Sequence, residues 1–342
     1  KLKDASNIYI FLINSGCKNF RVHLNLGVIY QQNRKFKEAK SIFFNLIKHF
    51  PNNPEAYSNL AKIFQEENAY KKATEFFKKA INLKPDYLIA YHQLIKIYIN
   101  LNLFDEAATI LKKCTEIFPK DFNIFMNYGC VLRELGKYEN AEIYLKKSIK
   151  INPNLAISYI NLAAVQKDLK KLTEAEKNIF KAINLNPNSA LAFNNFGNIL
   201  KDKENLEEAE KKYRKAIDLD KDFYLAYNNL GNLFSTRGDL INAEKLTQKA
   251  IDINPRFELA FVNLAIIKEE LNKLDEAESS FLNAIKINKK YLYAYKCLWN
   301  FYEKTNNLGK LKNQLDFNEN EKYLKYELLL FKSRVSYREK DF

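Results

Sequence analysis

Side-chain amides recur every 34 residues along this 342-residue chain, at Asn25, Asn59, Gln93, Asn127, Asn161, Asn195, Asn229 and Asn263. An amide donates through its nitrogen and accepts through its oxygen, so one side chain can match both the N–H and the C=O of a peptide unit. A row of them at even spacing suits an extended polypeptide held by its main chain, whatever its side chains. Each bond contributes about 0.5–1.5 kcal/mol net, so several must act together. Asn194, Asn198, Asn228 and Asn232 lie within about one helical turn of the row. They make the stretch from 194 to 232 its most polar part, where a ligand is expected first. The competing reading is that the amides bond to neighbouring helices and tie a stack together; one amide can do both.

Other reactive side chains form no constellation. His23, His49 and His92 are dispersed, and His23 fills a position that is otherwise aromatic. Cys17, Cys114, Cys130 and Cys297 have neither metal-ligand nor disulfide-framework spacing, which fits small packed residues in a reducing, cytoplasmic setting. Acidic pairs such as Glu66-Glu67 and Glu269-Glu270 fall near turns, and no glycine-rich phosphate loop is present. The expectation is a non-catalytic chain with no cofactor and no metal site.

An exact period of this length marks helix-turn-helix repeats stacked into an all-α solenoid. Prolines keep the same beat at 51, 85, 119, 153, 187 and 255. Counting that proline as position 32 sets eight repeats over residues 20–291: 20–53, 54–87, 88–121, 122–155, 156–189, 190–223, 224–257 and 258–291. Position 20 is alanine in all eight, and position 8 is Gly or Ala in seven, Ile95 being the exception. Small residues there let the two helices of a hairpin approach closely, and a wider crossing is expected at Ile95. Position 24 carries large residues such as Phe43, Phe77, Leu111, Leu145, Tyr213 and Phe281. Position 15 holds Asn68, Asn102, Gly136, Gly238 and Asn272, which tolerate left-handed backbone, and less suitably Arg34, Lys170 and Glu204. Proline ends each second helix, with Lys221 and Lys289 in its place in two repeats.

The net charge of +14 allows acidic partners, but 55 basic residues are interspersed with 41 acidic ones and no Arg-rich run exists. Nucleic acid is therefore disfavoured as a partner. The face carrying the amides is also mixed, with Lys62, Lys96, Arg133, Lys167 and Lys201 beside Glu66, Glu134, Asp168, Asp202 and Glu269. That mixture disfavours a basic clamp for a terminal carboxylate. No segment is apolar over a length that spans a bilayer. Residues 1–17 read as the second helix of a preceding repeat. Residues 292–342 read as a degenerate ninth repeat and a helix over about 321–337, with the chain continuing beyond.

The recurrence of small, large and helix-stopping residues is that of the tetratricopeptide repeat, which the chain resembles over roughly residues 20–291. The resemblance implies a right-handed superhelix of antiparallel helix pairs whose first helices line the concave surface. The asparagine row resembles that of O-GlcNAc transferase superhelices, which implies a ladder binding peptide backbone. The segment 323–331 is loosely similar to the linker in bacterial tetratricopeptide–sulfotransferase fusions. These resemblances imply a protein- or peptide-binding scaffold, with substrate presentation to a transferase domain beyond residue 342 as one alternative. A self-associating structural solenoid is the other.

Overall fold

The computed structural model describes residues 2–307, 309, 310 and 313. Its described residues are helical with short turns, and contain no strand. They fall into two compact units, one ending at Lys171 and the other beginning at Leu172. The first unit contains α1 (Leu2–Asn14), α2 (Phe20–Gln32), α3 (Phe36–His49), α4 (Pro54–Glu66), α5 (Tyr70–Leu83), α6 (Leu88–Asn100), α7 (Phe104–Ile117), α8 (Phe122–Glu134), α9 (Tyr138–Ile151) and α10 (Ala156–Asp168). The second contains α11 (Leu172–Leu185), α12 (Ala190–Asp202), α13 (Leu206–Leu219), α14 (Tyr224–Thr236), α15 (Leu240–Ile253), α16 (Glu258–Glu270), α17 (Leu274–Ile287) and α18 (Leu292–Lys304). The helix expected over 321–337 lies outside the described residues.

Within each unit a helix packs on the next in sequence, and successive first helices also touch, as in α2 on α4 and α14 on α16. The small residue at position 8 makes room for the large one at position 24. A Cβ added to Gly27 would lie 2.7 Å from the Phe43 ring, and one on Gly197 would lie 2.5 Å from the Tyr213 ring. Every position-20 alanine is fully buried. Where Ile95 takes position 8, α6 and α7 pack less closely than the hairpins built on Gly27, Ala61 or Gly129.

Position 15 has a positive φ in every hairpin turn, including 57° at Arg34, 61° at Lys170 and 61° at Glu204. Repeat geometry thus imposes left-handed backbone even where the residue type resists it. Second helices end at the same register with or without proline: α13 stops at Leu219 before Lys221, and α17 at Ile287 before Lys289. There Asp220 Oδ1 accepts from the Asp222 N–H at 3.0 Å and Asn288 Oδ1 from the Lys290 N–H at 3.0 Å. These side chains close a turn that competes with further helix, and Asn152, Asn186 and Asn254 make the same bond in repeats that also carry proline, so the stop does not depend on proline alone.

Consecutive hairpins are also joined by charge. Glutamate at position 21 meets a cation from the following turn, as in Glu176–Lys203 at 2.6 Å, Glu210–Arg237 at 2.6 Å and Glu244–Lys273 at 2.8 Å. Most such pairs are solvent-exposed and contribute little. Glu142 is the exception, with a side chain only 8% exposed. Burial pushes its carboxyl up, but Lys146 at 2.8 Å, Lys171 at 2.6 Å and Gln166 at 3.1 Å outweigh that and hold it down at about 2, against an ordinary 4.5. A depressed carboxylate stabilises the fold above its unfolded value and loses that contribution as pH falls from about 4.5 towards 2. Glu142→Gln is expected to lower stability at neutral pH by about 1–2 kcal/mol, after allowance for screening at the half-exposed lysines. Urea titrations at stepped pH check this; the gap between wild type and variant should close between pH 4.5 and 2.

Candidate functional site

Position 6 lies one residue before the buried position 7 on each first helix. That places its side chain at the edge of the packed interface, partly covered and partly open. Asn59, Gln93, Asn127, Asn161, Asn195 and Asn229 follow this placement, while Asn263 is buried and Asn25 is exposed.

In the first unit, Asn59 and Gln93 each line an open concavity between successive first helices. One, about 290 Å³, is bounded by Gln31 and Arg34 on one side and Asn59, Lys62 and Glu66 on the other. The next, about 370 Å³, is bounded by Lys62, Glu66 and Tyr70 and by Gln93, Lys96 and Asn100. Lys62 and Glu66 belong to both, so the two hollows share a wall on α4. Gln31 Nε2 donates to Glu66 Oε1 at 2.6 Å and fixes that carboxylate across α2 and α4. Burial lowers the Lys62 ammonium below its ordinary value, against an opposing pull from Glu66. Asn59, Gln93, Asn127 and Asn161 make no side-chain hydrogen bond within their unit, leaving donor and acceptor available. Asn25 differs, since its Nδ2 donates to the Tyr9 hydroxyl at 3.1 Å.

The second unit uses its amides otherwise. Asn229 Nδ2 donates to Asn194 Oδ1 at 2.9 Å, and Asn263 Nδ2 donates to Asn228 Oδ1 at 2.9 Å. The acceptors are 3% and 2% exposed, so a ligand would meet them only through the amides they hold. Asn198 accepts from the Tyr213 hydroxyl at 2.8 Å, and Asn232 accepts from the Lys201 ammonium. The sequence placed all four flanking asparagines on the groove. The structure buries Asn194 and Asn228 and engages Asn198 and Asn232 with neighbouring side chains. Asn195 is half-buried and makes no side-chain hydrogen bond within its unit. The missed signal is a spacing of 35 rather than 34, which links position 5 of one repeat to position 6 of the next.

Charges on this face are largely paired among themselves. Arg133 Nε lies 2.6 Å from Asp168, Lys167 lies 3.2 Å from the same carboxylate, and Lys304 lies 2.8 Å from Glu269. The histidines stay apart: His23 Nε2 lies 3.0 Å from the Cys17 carbonyl, His49 Nδ1 lies 2.9 Å from the Asn45 carbonyl, and His92 Nε2 lies 3.4 Å from Asp121. Burial pushes the Cys114 thiol up to about 12 and the Cys130 thiol up to about 11, so both stay protonated and unreactive at neutral pH. Among the described residues no group of three His, Cys, Asp or Glu side chains could hold a metal ion. No described helix is long and apolar enough to cross a membrane.

Tetratricopeptide repeat models match residues 24–87, 64–126, 122–155, 156–189, 224–257 and 260–291, and a TPR repeat model matches 197–238. No curated protein sequence matches the chain. Among solved structures, it is similar to yeast Tom70 at 20% identity and a TM-score of 0.62, covering 89% of this chain and 63% of that one. It is similar to Cut9–Hcn1, an APC/C hetero-tetramer, at 14% identity and a TM-score of 0.57, covering 85% and 57%. YrrB, described as a TPR protein with an unusual peptide-binding site, aligns at 26% identity over 54% of this chain and 95% of its own, with a TM-score of 0.45.

Proposed function

We propose that this chain, which belongs to the tetratricopeptide repeat family, is a binding scaffold that holds an extended peptide by its main chain along the first-helix face. The observation that carries the reading is the pair Asn59 and Gln93. They stand 34 residues apart on successive first helices, unpaired, at two adjoining hollows that share Lys62 and Glu66. A strand lying across them would exchange N–H and C=O bonds with each amide, and Asn127 and Asn161 would extend the row. The free amides favour this first unit as the place of initial contact. In the second unit, Asn229 and Asn263 already donate to their neighbours, so they support stacking and retain only part of their capacity for a ligand. No catalytic role is assigned to these residues.

The test uses peptides selected from a random library on the wild-type chain, titrated against the Asn59→Ala/Gln93→Ala double variant. Losing bonds from two amides should weaken binding by about tenfold or more, with melting almost unchanged. Unchanged affinity, or a loss of affinity that tracks a loss of stability, would overturn the reading.

A further inference from the structure

Positions 22, 25, 26 and 29 of the second helices form an outer face, exposed in all described repeats except at the half-buried Ile10. In the first unit these rows hold eight lysines and two glutamates across α1, α3, α5, α7 and α9; the second unit has eight basic and two acidic residues there. Of the chain's 55 basic and 41 acidic residues, 39 and 37 therefore lie elsewhere. Nearly all of the net charge sits on this one kind of surface.

Three successive second helices of the first unit, α5, α7 and α9, present paired lysines at the same register: Lys78-Lys79, Lys112-Lys113 and Lys146-Lys147. Glu142 neutralises Lys146 alone among them, at 2.8 Å. Lys78, Lys79 and Lys147 lie over the rings of Tyr98, Phe76 and Tyr144, contacts that leave the positive charge in place. Large apolar side chains share the rows: Phe11 is 69% exposed, Phe44 47% and Ile143 50%. Ile143 stands beside Lys146-Lys147 on α9, while Phe11 and Phe44 stand on α1 and α3, whose only lysine in these rows is Lys48. Solubility explains lysines, but not exposed aromatic and branched side chains on the same kind of face.

We propose that this outer face of the first unit docks peripherally on an anionic lipid bilayer. Phe11, Phe44 and Ile143 would enter the boundary between headgroups and acyl chains, while the lysine pairs would meet lipid phosphates. The chemistry favours a bilayer over nucleic acid. The basic residues here are lysines, which act as point charges, and the rows in this unit lack the arginine forks that read phosphate bidentately. The bilayer would take the second-helix side, leaving the hollows at Asn59 and Gln93 on the first-helix side.

Co-sedimentation of the whole chain with vesicles tests this, comparing phosphatidylcholine alone with phosphatidylcholine containing phosphatidylglycerol. Binding is expected only to the anionic vesicles. It should fall by at least about tenfold for Lys78→Glu/Lys79→Glu/Lys112→Glu/Lys113→Glu, and fall for Phe11→Ser/Phe44→Ser at unchanged charge. Circular dichroism establishes that each variant is folded, and Lys112→Gln/Lys113→Gln serves if the charge reversal is not. Absence of binding to anionic vesicles, equal binding to neutral ones, or indifference to the lysine changes would overturn the proposal. So would a single-stranded oligonucleotide that binds more tightly than the vesicles through the same lysines.

Discussion

Phe77→Ala is expected to destabilise the chain by about 3–5 kcal/mol, the cost of removing a large side chain from a close-packed site. Phe77 is fully buried at position 24 of its repeat. The equivalent rings, Phe43 and Tyr213, sit where a Cβ on the facing glycine would come within 2.7 and 2.5 Å, so the hairpin closes directly onto them. Little of that space can collapse, because Ala73 and Ala80 on the same helix are already fully buried. A stacked array draws its stability from each repeat and its two interfaces, so losing one hairpin's centre weakens both neighbours. Urea denaturation followed by circular dichroism provides the measurement. A loss below about 1 kcal/mol would mean that the position-24 ring is a filler rather than the centre of the hairpin.

Much of the architecture could be read from residue types because each demand is local. Alanine at position 20 reports a close helix approach, and the φ of 61° at Glu204 shows that turn geometry follows from position within the repeat rather than from the residue placed there. Ile95 was legible for the same reason, since one large side chain must push two helices apart. The stop before Lys221 was less legible because Asp220 acts through a side-chain bond to Asp222, a device that Asn152, Asn186 and Asn254 share beside proline. The amide pairs were hidden for a different reason. Which neighbour Asn229 reaches depends on how one helix is offset against the next, and a single-helix pattern carries no record of that offset. Asn194 and Asn195 are adjacent in sequence yet differ in burial, because a step of one residue turns a helix by roughly 100°.

Asn228→Ala is expected to cost about 1–3 kcal/mol, while Asn161→Ala should stay within about 0.5 kcal/mol of wild type. Both asparagines lie on first helices, Asn161 within the 34-residue row and Asn228 one residue before the row member Asn229. Asn228 is 2% exposed and its Oδ1 is the acceptor for Asn263 Nδ2 at 2.9 Å. Removing it leaves the Asn263 amide, itself 9% exposed, with a donor turned towards helix rather than water. Asn161 is half-buried and makes no side-chain bond within its unit, so its truncation strands no partner. The Asn228→Ala/Asn263→Ala double variant should cost less than the two single changes combined, because the second change removes the group that the first left unsatisfied. Thermal melts of the wild type and the four variants decide the matter. Equal costs at Asn161 and Asn228 would show that the amide-bearing face plays one role throughout. Unequal costs would divide it into a stretch spent on holding the stack and a stretch left free to hold something else.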